Sequence, residues 1–185
     1  MTIGLLGGAF DPPHVGHVAL ARAAIERFRL ERLVVLVVAD PGHKGVEAPA
    51  EARLALSQAA FDGLAEVRLD EFPRTVDSLR AGAWDDPLFV IGADQFAGFL
   101  AWEEPDAVLD LARLGVATRP GYLQERLESV LAHLRRPDRV LFFDIEPMAV
   151  SSTEVRERVA RGEPVDGLVP SDVADLIAEL RLYVR

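Results

Sequence analysis

At 185 residues the chain has room for one ordinary α/β domain with a well-buried core, and two full domains are not expected. A net charge of -10 excludes general nucleic-acid binding, which rests on clustered Lys and Arg, and the absence of cysteine excludes disulfides, thiolate catalysis and cysteine-held zinc. Half of the residues are hydrophobic, yet the longest apolar run, Leu33 to Ala39, falls far short of the ~20 residues a membrane helix needs, and no basic leader opens the sequence, so a cytoplasmic protein without a membrane partner is expected.

In chain order, the first strand is Ile3 to Leu6, and Gly7-Gly8-Ala9-Phe10-Asp11-Pro12-Pro13-His14-Val15-Gly16-His17 joins it to a helix over Val15 to Phe28. The paired glycines let backbone approach a ligand closely, and the N–H groups and dipole at the helix start attract anions. His14 and His17 are three apart, so within one helical turn they share a face and could both donate to one phosphate. Neither G-x-x-x-x-G-K-[ST] nor G-x-G-x-x-G is present.

A second strand, Leu33 to Ala39, leads into Asp40-Pro41-Gly42-His43-Lys44-Gly45, which holds the only lysine among 20 basic residues. A helix over Ala50 to Phe61, a strand at Val67 to Leu69 and a helix over Val76 to Ala81 follow. After the strand Leu88 to Ile91 comes Gly92-Ala93-Asp94-Gln95, where Asp94 is either a helix cap or an acceptor for ligand hydroxyls. Helix Asp106 to Ala112, strand Leu114 to Thr118 with Arg119 at its end, helix Gln124 to Leu134 and strand Val140 to Ile145 complete the alternation. Ser151-Ser152-Thr153-Glu154-Val155-Arg156 then opens a helix over Thr153 to Arg161, and a last helix spans Ser171 to Leu180. Ser151 with Glu154 fits a capping box, while the further hydroxyls and Arg156 would build a second anion site.

Continuous apolar strands alternating with helices predict an α/β fold, a doubly wound parallel sheet covered on both faces, with residues 151–185 as a small helical C-terminal part of a single 1–185 domain. Ligands bind outside the carboxyl ends of such strands, where all of these motifs fall. The histidines are His14, His17, His43 and His133, no H-E-x-x-H occurs, and no protein-held metal is expected.

With His14-Val15-Gly16-His17 as its core, the Gly7 to His17 run resembles the H-x-G-H signature of the nucleotidylyltransferase superfamily, and in full length it is similar to the nicotinate-nucleotide adenylyltransferase branch. Ser151 to Arg156 resembles that family's S-S-T-x-x-R motif, and Leu168-Val169-Pro170 through Leu182-Tyr183 resembles its closing segment. The resemblance implies a Rossmann-like fold and adenylyl transfer from ATP to nicotinic acid mononucleotide, giving deamido-NAD and pyrophosphate. It implies His14, His17 and Lys44 as charge-stabilising groups, and Gly7, Gly8, Ala9, Phe10, Gly16, Asp94, Ser151, Ser152, Thr153 and Arg156 around ATP, with Mg²⁺ arriving on the phosphates. For the acceptor nucleotide it implies Thr75 and Glu103 through backbone amides, Trp102 as a stacking platform, and Arg119. The chain departs from the family at Arg74, where tyrosine is the rule, and at Gly42 in the P-P-H-[KR] motif. Pantetheine-phosphate adenylyltransferase shares both main motifs and is the enzymatic alternative; a non-catalytic nucleotide-binding regulator is the other. A homo-oligomer is left open.

Overall fold

The structure, a computed structural model, describes residues 2–42, 45–118 and 124–184. His43, Lys44 and Arg119 lie outside the described residues. The chain alternates β1 (Ile3–Gly8), α1 (Val15–Phe28), β2 (Arg32–Val38), α2 (Ala50–Ala60), β3 (Glu66–Asp70), α3 (Thr75–Ala81), β4 (Leu88–Gly92), α4 (Ala93–Ala97), α5 (Pro105–Leu111), β5 (Arg113–Thr118), α6 (Gln124–Leu131), β6 (Val140–Asp144), α7 (Ser152–Ala160) and α8 (Ser171–Glu179). All six strands pair in parallel in the order β3-β2-β1-β4-β5-β6.

Alternation along each strand splits the core into two layers. Leu6, Val35, Val37 and Val90 face Ala21 and Ala24 of α1, Leu56 of α2, Val155 of α7 and Val173 and Ile177 of α8. Their neighbours Leu5, Val34, Leu36, Phe89 and Ile91 face Val76 of α3, Phe96 of α4, Val108 of α5 and Leu127 of α6. The helices that follow β1 and β2 therefore cover one face, and those that follow β4 and β5 cover the other. Right-handed crossovers require this when a chain winds outward from the sheet centre in both directions. The chain from β1 and the chain from β4 leave toward opposite faces, which opens a crevice at their carboxyl ends, the topological switch point of the sheet.

Three local features differ from the expectations. β1 does not stop at Leu6: Gly7 and Gly8 continue it, paired with Leu36 and Val37, because glycine carries the same backbone donors and acceptors as any residue. The helical segment after β4 begins at once as the five-residue α4, followed by a 3₁₀ turn at Phe99–Ala101, where the sequence offered no long periodic stretch. α6 ends at Leu131, with His133 and Leu134 bonded back to Val130 and Leu131 in turns.

The carboxyl ends of β1 and β2 are held by one cation. Arg53 of α2 is 1 % exposed, and its guanidinium donates to Ala48 O (3.1 Å), Ala9 O (2.8 Å), Val38 O (2.7 Å) and Ala39 O (2.7 Å). The Ala9, Val38 and Ala39 carbonyls lie where the ladders end, and Ala48 O lies in the loop before α2. Arg53→Met should lower stability by about 3 kcal/mol or more, because it strands buried carbonyls. For a chain of this size that is a fall of roughly 10 °C in Tm by calorimetry. A shift below about 2 °C would mean that the carbonyls find other donors.

Candidate active site

The junction after β1 is bent into a compact hook. Phe10 has a left-handed backbone (φ 49°), an uncommon state for a bulky residue that persists only where the surroundings impose it. Its buried ring stands edge-on to His17 (5.1 Å) and Phe61 (5.7 Å) and lines neither of the cavities described below. The side chain of Phe10, expected near ATP, is thus a buttress behind His17.

His14 is the N-cap of α1 and His17 its third helical residue. Their rings stack at 3.7 Å, and the His14 N–H donates to His17 Nδ1 at 3.2 Å. With Nδ1 accepting, the proton of a neutral His17 ring sits on Nε2, which is the donor it offers. Gly16 between them admits this packing, since a Cβ there would lie 3.1 Å from the His14 ring and 3.2 Å from Val150. The first helical amide, Val15 N–H, is taken by Leu168 O at 3.0 Å, so the segment before α8 is tied to the start of α1.

Two cavities open along the crevice. The smaller, about 330 Å³, is lined by His14, Gly16, His17, Asp94 and the Glu146–Met148 stretch after β6. The larger, about 550 Å³, is lined by Gly7, Gly8, Ala9, Thr75, Trp102 and Glu103, among others. Asp94 and Gln95 belong to both walls. Gly7, Gly8 and Ala9 were expected with the histidines; because β1 runs on through Gly8, they instead flank the larger cavity. The side-chain space at Gly7 is taken by Phe89, whose Cζ would lie 2.9 Å from a Cβ there.

Asp94 is not a helix cap. It is the second residue of α4, whose N-cap is Gly92, and Gln95 Oε1 accepts the Gly92 N–H at 3.1 Å. Trp102 packs in T-shaped contacts with Phe89 (6.5 Å) and Phe99 (5.2 Å) and lines the larger cavity. Thr75 is the first residue of α3, so its amide has no intrahelical partner. Arg74 and Glu103 pair across the rim at 3.8 Å.

The Ser151 to Arg156 segment docks against the hook. Ser151 Oγ accepts the Glu154 N–H (3.1 Å), but the Glu154 carboxylate pairs with Arg158 (3.3 Å), so only half of the expected capping box forms. Ser152 Oγ donates to Pro12 O (2.8 Å). Arg156 donates to Asp11 O (2.7 Å), Glu47 Oε1 (2.9 Å) and Thr153 Oγ1 (3.4 Å). Glu47 and Arg53 went unnoticed in the sequence, and Gln95 was given no role. Of these, Arg53 had a signal: it shares the helical face of Leu56 and Ala60, an apolar stripe where a charge is out of place.

The cytidylyltransferase-like family model matches residues 5–158. A probable nicotinate-nucleotide adenylyltransferase of Bordetella avium is 38 % identical over 191 residues, covering 98 % of this chain and 97 % of that one. The chain belongs to this family. The corresponding Thermus thermophilus protein, also a probable nicotinate-nucleotide adenylyltransferase, is 36 % identical, covering 99 % of this chain and all of that one. Among solved structures, Plasmodium falciparum nicotinic acid mononucleotide adenylyltransferase complexed with NaAD superposes with a TM-score of 0.79 over 98 % of this chain and 97 % of that one; at 16 % identity it bears on the fold.

Burial lowers the pKa of His14 from 6.5 to about 4, so the ring is neutral at pH 7 and acts as a dipolar donor or acceptor and not as a cation. Its Nδ1 is buried without a partner. In acid the unfolded chain takes this proton first. The stability is therefore intact above pH 6.5, declines between 6.5 and about 4, and levels below. Urea titrations of His14→Gln should show a drop from neutral to mildly acidic pH that is smaller than the wild type's by about 2 kcal/mol. Equal drops would remove His14 as the source.

Proposed function

We propose that the protein transfers the adenylyl group of ATP to nicotinic acid mononucleotide, giving deamido-NAD and pyrophosphate, as a cytoplasmic enzyme of NAD biosynthesis with residues 1–185 as one catalytic domain and 151–185 as its helical C-terminal part. The observation that carries this reading is the pair of cavities that share the Asp94–Gln95 wall at the switch point, one flanked by His14 and His17 and the other by Trp102. A dinucleotide needs two such chambers with its phosphates at the seam.

The acceptor's phosphate oxygen is already a nucleophile. It forms a bond to the α-phosphorus of ATP while the bond to the bridging oxygen breaks and pyrophosphate leaves. No side chain has to attack, and catalysis consists of positioning and charge stabilisation. His17 Nε2–H, fixed by the bond at Nδ1, donates to the α-phosphate oxygens as their charge grows. His14, Gly16 and Lys44 assist there, Ser151, Ser152, Thr153 and Arg156 take the departing phosphates, and Asp94 accepts from ribose hydroxyls. Mg²⁺ would arrive with the triphosphate, whose charge it would help to neutralise, because it keeps much of its water shell and needs few protein ligands. Arg119 belongs with the acceptor.

Trp102 offers its face to the pyridine ring, and the amides at Thr75 and Glu103 read the carboxylate. A carboxamide would set its NH₂ against those donors, at a cost of about 1 to 3 kcal/mol for each unsatisfied group. The kcat/KM for the acid mononucleotide should exceed that for the amide on the order of 100-fold. A product assay with ATP and nicotinate mononucleotide, nicotinamide mononucleotide or phosphopantetheine tests this directly. Equal rates for acid and amide would sink the carboxylate reading, and a faster reaction with phosphopantetheine would replace the acceptor altogether.

His17→Ala should lower kcat by about 100-fold or more with a much smaller effect on ATP binding, since its interaction strengthens in the transition state. Trp102→Ala should raise the KM for nicotinic acid mononucleotide and leave that for ATP nearly unchanged. Steady-state kinetics on both substrates separate the two roles. Normal turnover in folded His17→Ala removes the ring from the mechanism.

A further inference from the structure

The segment after α8 reaches back to the phosphate hook through one side chain. Tyr183 is 9 % exposed, and its OH donates to Asp11 Oδ1 at 2.7 Å. Asp11 is 4 % exposed and is a junction in its own right. Its Oδ1 also accepts the Ala48 N–H (3.1 Å), and its Oδ2 accepts the Glu47 N–H (2.7 Å). Its backbone carbonyl accepts from Arg156, whose Nε donates to the side chain of the same Glu47. The chain is closed: Tyr183 holds the Asp11 carboxylate, Asp11 holds Glu47 by its amide, and Glu47 and Asp11 together hold Arg156.

Two facts set this apart from ordinary core packing. Tyr183 adopts a left-handed backbone (φ 61°), a conformation that a bulky residue keeps only when tertiary contacts impose it. Burial and the adjoining carboxylate also push the Tyr183 phenol upward in pKa, so it remains a donor throughout the working pH range. We propose that Tyr183 is a positioning residue for the triphosphate: through Asp11 and Glu47 it fixes the Arg156 guanidinium and the hook that leads into His14. Trp102, Thr75 and Glu103, which wall the acceptor chamber, take none of these hydrogen bonds.

The inference rests on the ATP-site reading given above, and its test does not need the acceptor to be known. Tyr183→Phe keeps the ring and removes the hydroxyl. Its affinity for ATP, measured by calorimetry without acceptor, should fall about tenfold, and the KM for ATP should rise in parallel while the KM for the acceptor stays within about twofold. Val173→Ala provides the control, because Val173 is fully buried in α8, packs in the same apolar layer as Tyr183, and carries no side-chain group that could take part in the hydrogen bonds at Asp11. Assayed below its melting transition, it should bind ATP as the wild type does. Asp11→Asn should weaken ATP binding, and adding Tyr183→Phe to it should cost little more, since both act on one hydrogen bond.

Wild-type ATP affinity in Tyr183→Phe would overturn the proposal. So would an equal loss toward both substrates, an equal ATP defect in Val173→Ala, or effects of Tyr183→Phe and Asp11→Asn that multiply independently. Failure of the wild type to use nicotinic acid mononucleotide would sink the proposed function and leave this test standing.

Discussion

The arrangement depends on how the sheet ends. At the carboxyl edge of a parallel sheet the ladders stop while the loops still lie in the interior, so carbonyl oxygens are buried without partners. Arg53 resolves this for β1 and β2 with three hydrogen bonds from one planar group, and a fourth ties in Ala48 O. A guanidinium suits the task because it presents several donors in fixed directions and stays charged. Ala9 O, which opens the hook, and Ala48 O, beside the amides that hold Asp11, are thereby bound to the same group. The crevice is built on this polar floor, with apolar layers above and below the sheet.

Much of the fold was legible because a parallel sheet writes itself plainly: strands buried on both faces read as unbroken apolar runs such as Leu33 to Ala39. The edge strand β3 was the faintest, since Glu66 and Arg68 point to solvent and Arg32 pairs with Glu66 there. Such charges blunt an open edge. The hook between β1 and α1 was legible as a motif but not as geometry. Nothing in the order of residues says that Phe10 turns inward behind His17, or that Gly7 and Gly8 stay in the strand. α4 was hidden by its brevity, since five residues carry no period. Asp11 looked like a turn residue, because its partners at 47, 48 and 183 are remote in sequence and only the fold makes them neighbours.

The charge of the chain bears on how such a site can work. At -10 the protein as a whole repels a triphosphate, so attraction has to be local and short in range. Exposed pairs such as Arg80 with Glu104 and Arg135 with Asp106 consume much of the arginine and contribute little to stability. Inside the hook, Arg156 is itself matched to Glu47, whose carboxylate is largely exposed. On the proposed reading, phosphate oxygens exchange with Glu47 at Arg156, and the net gain is the difference between two ion pairs. Such a guanidinium stays in place without ligand, and the loss of freedom that binding would otherwise impose on it has already been met in folding.

The shared Asp94–Gln95 wall has a consequence for inhibition. Two adjacent chambers turn a tethered ligand into an intramolecular problem: once one half is seated, the other meets its site at an effective concentration set by the link and not by the solution. A short phosphate bridge spans the seam without slack, whereas a long flexible one loses the advantage to chain entropy. On the proposed reading a joined dinucleotide seats better than its separate halves, and its escape requires both chambers to let go together.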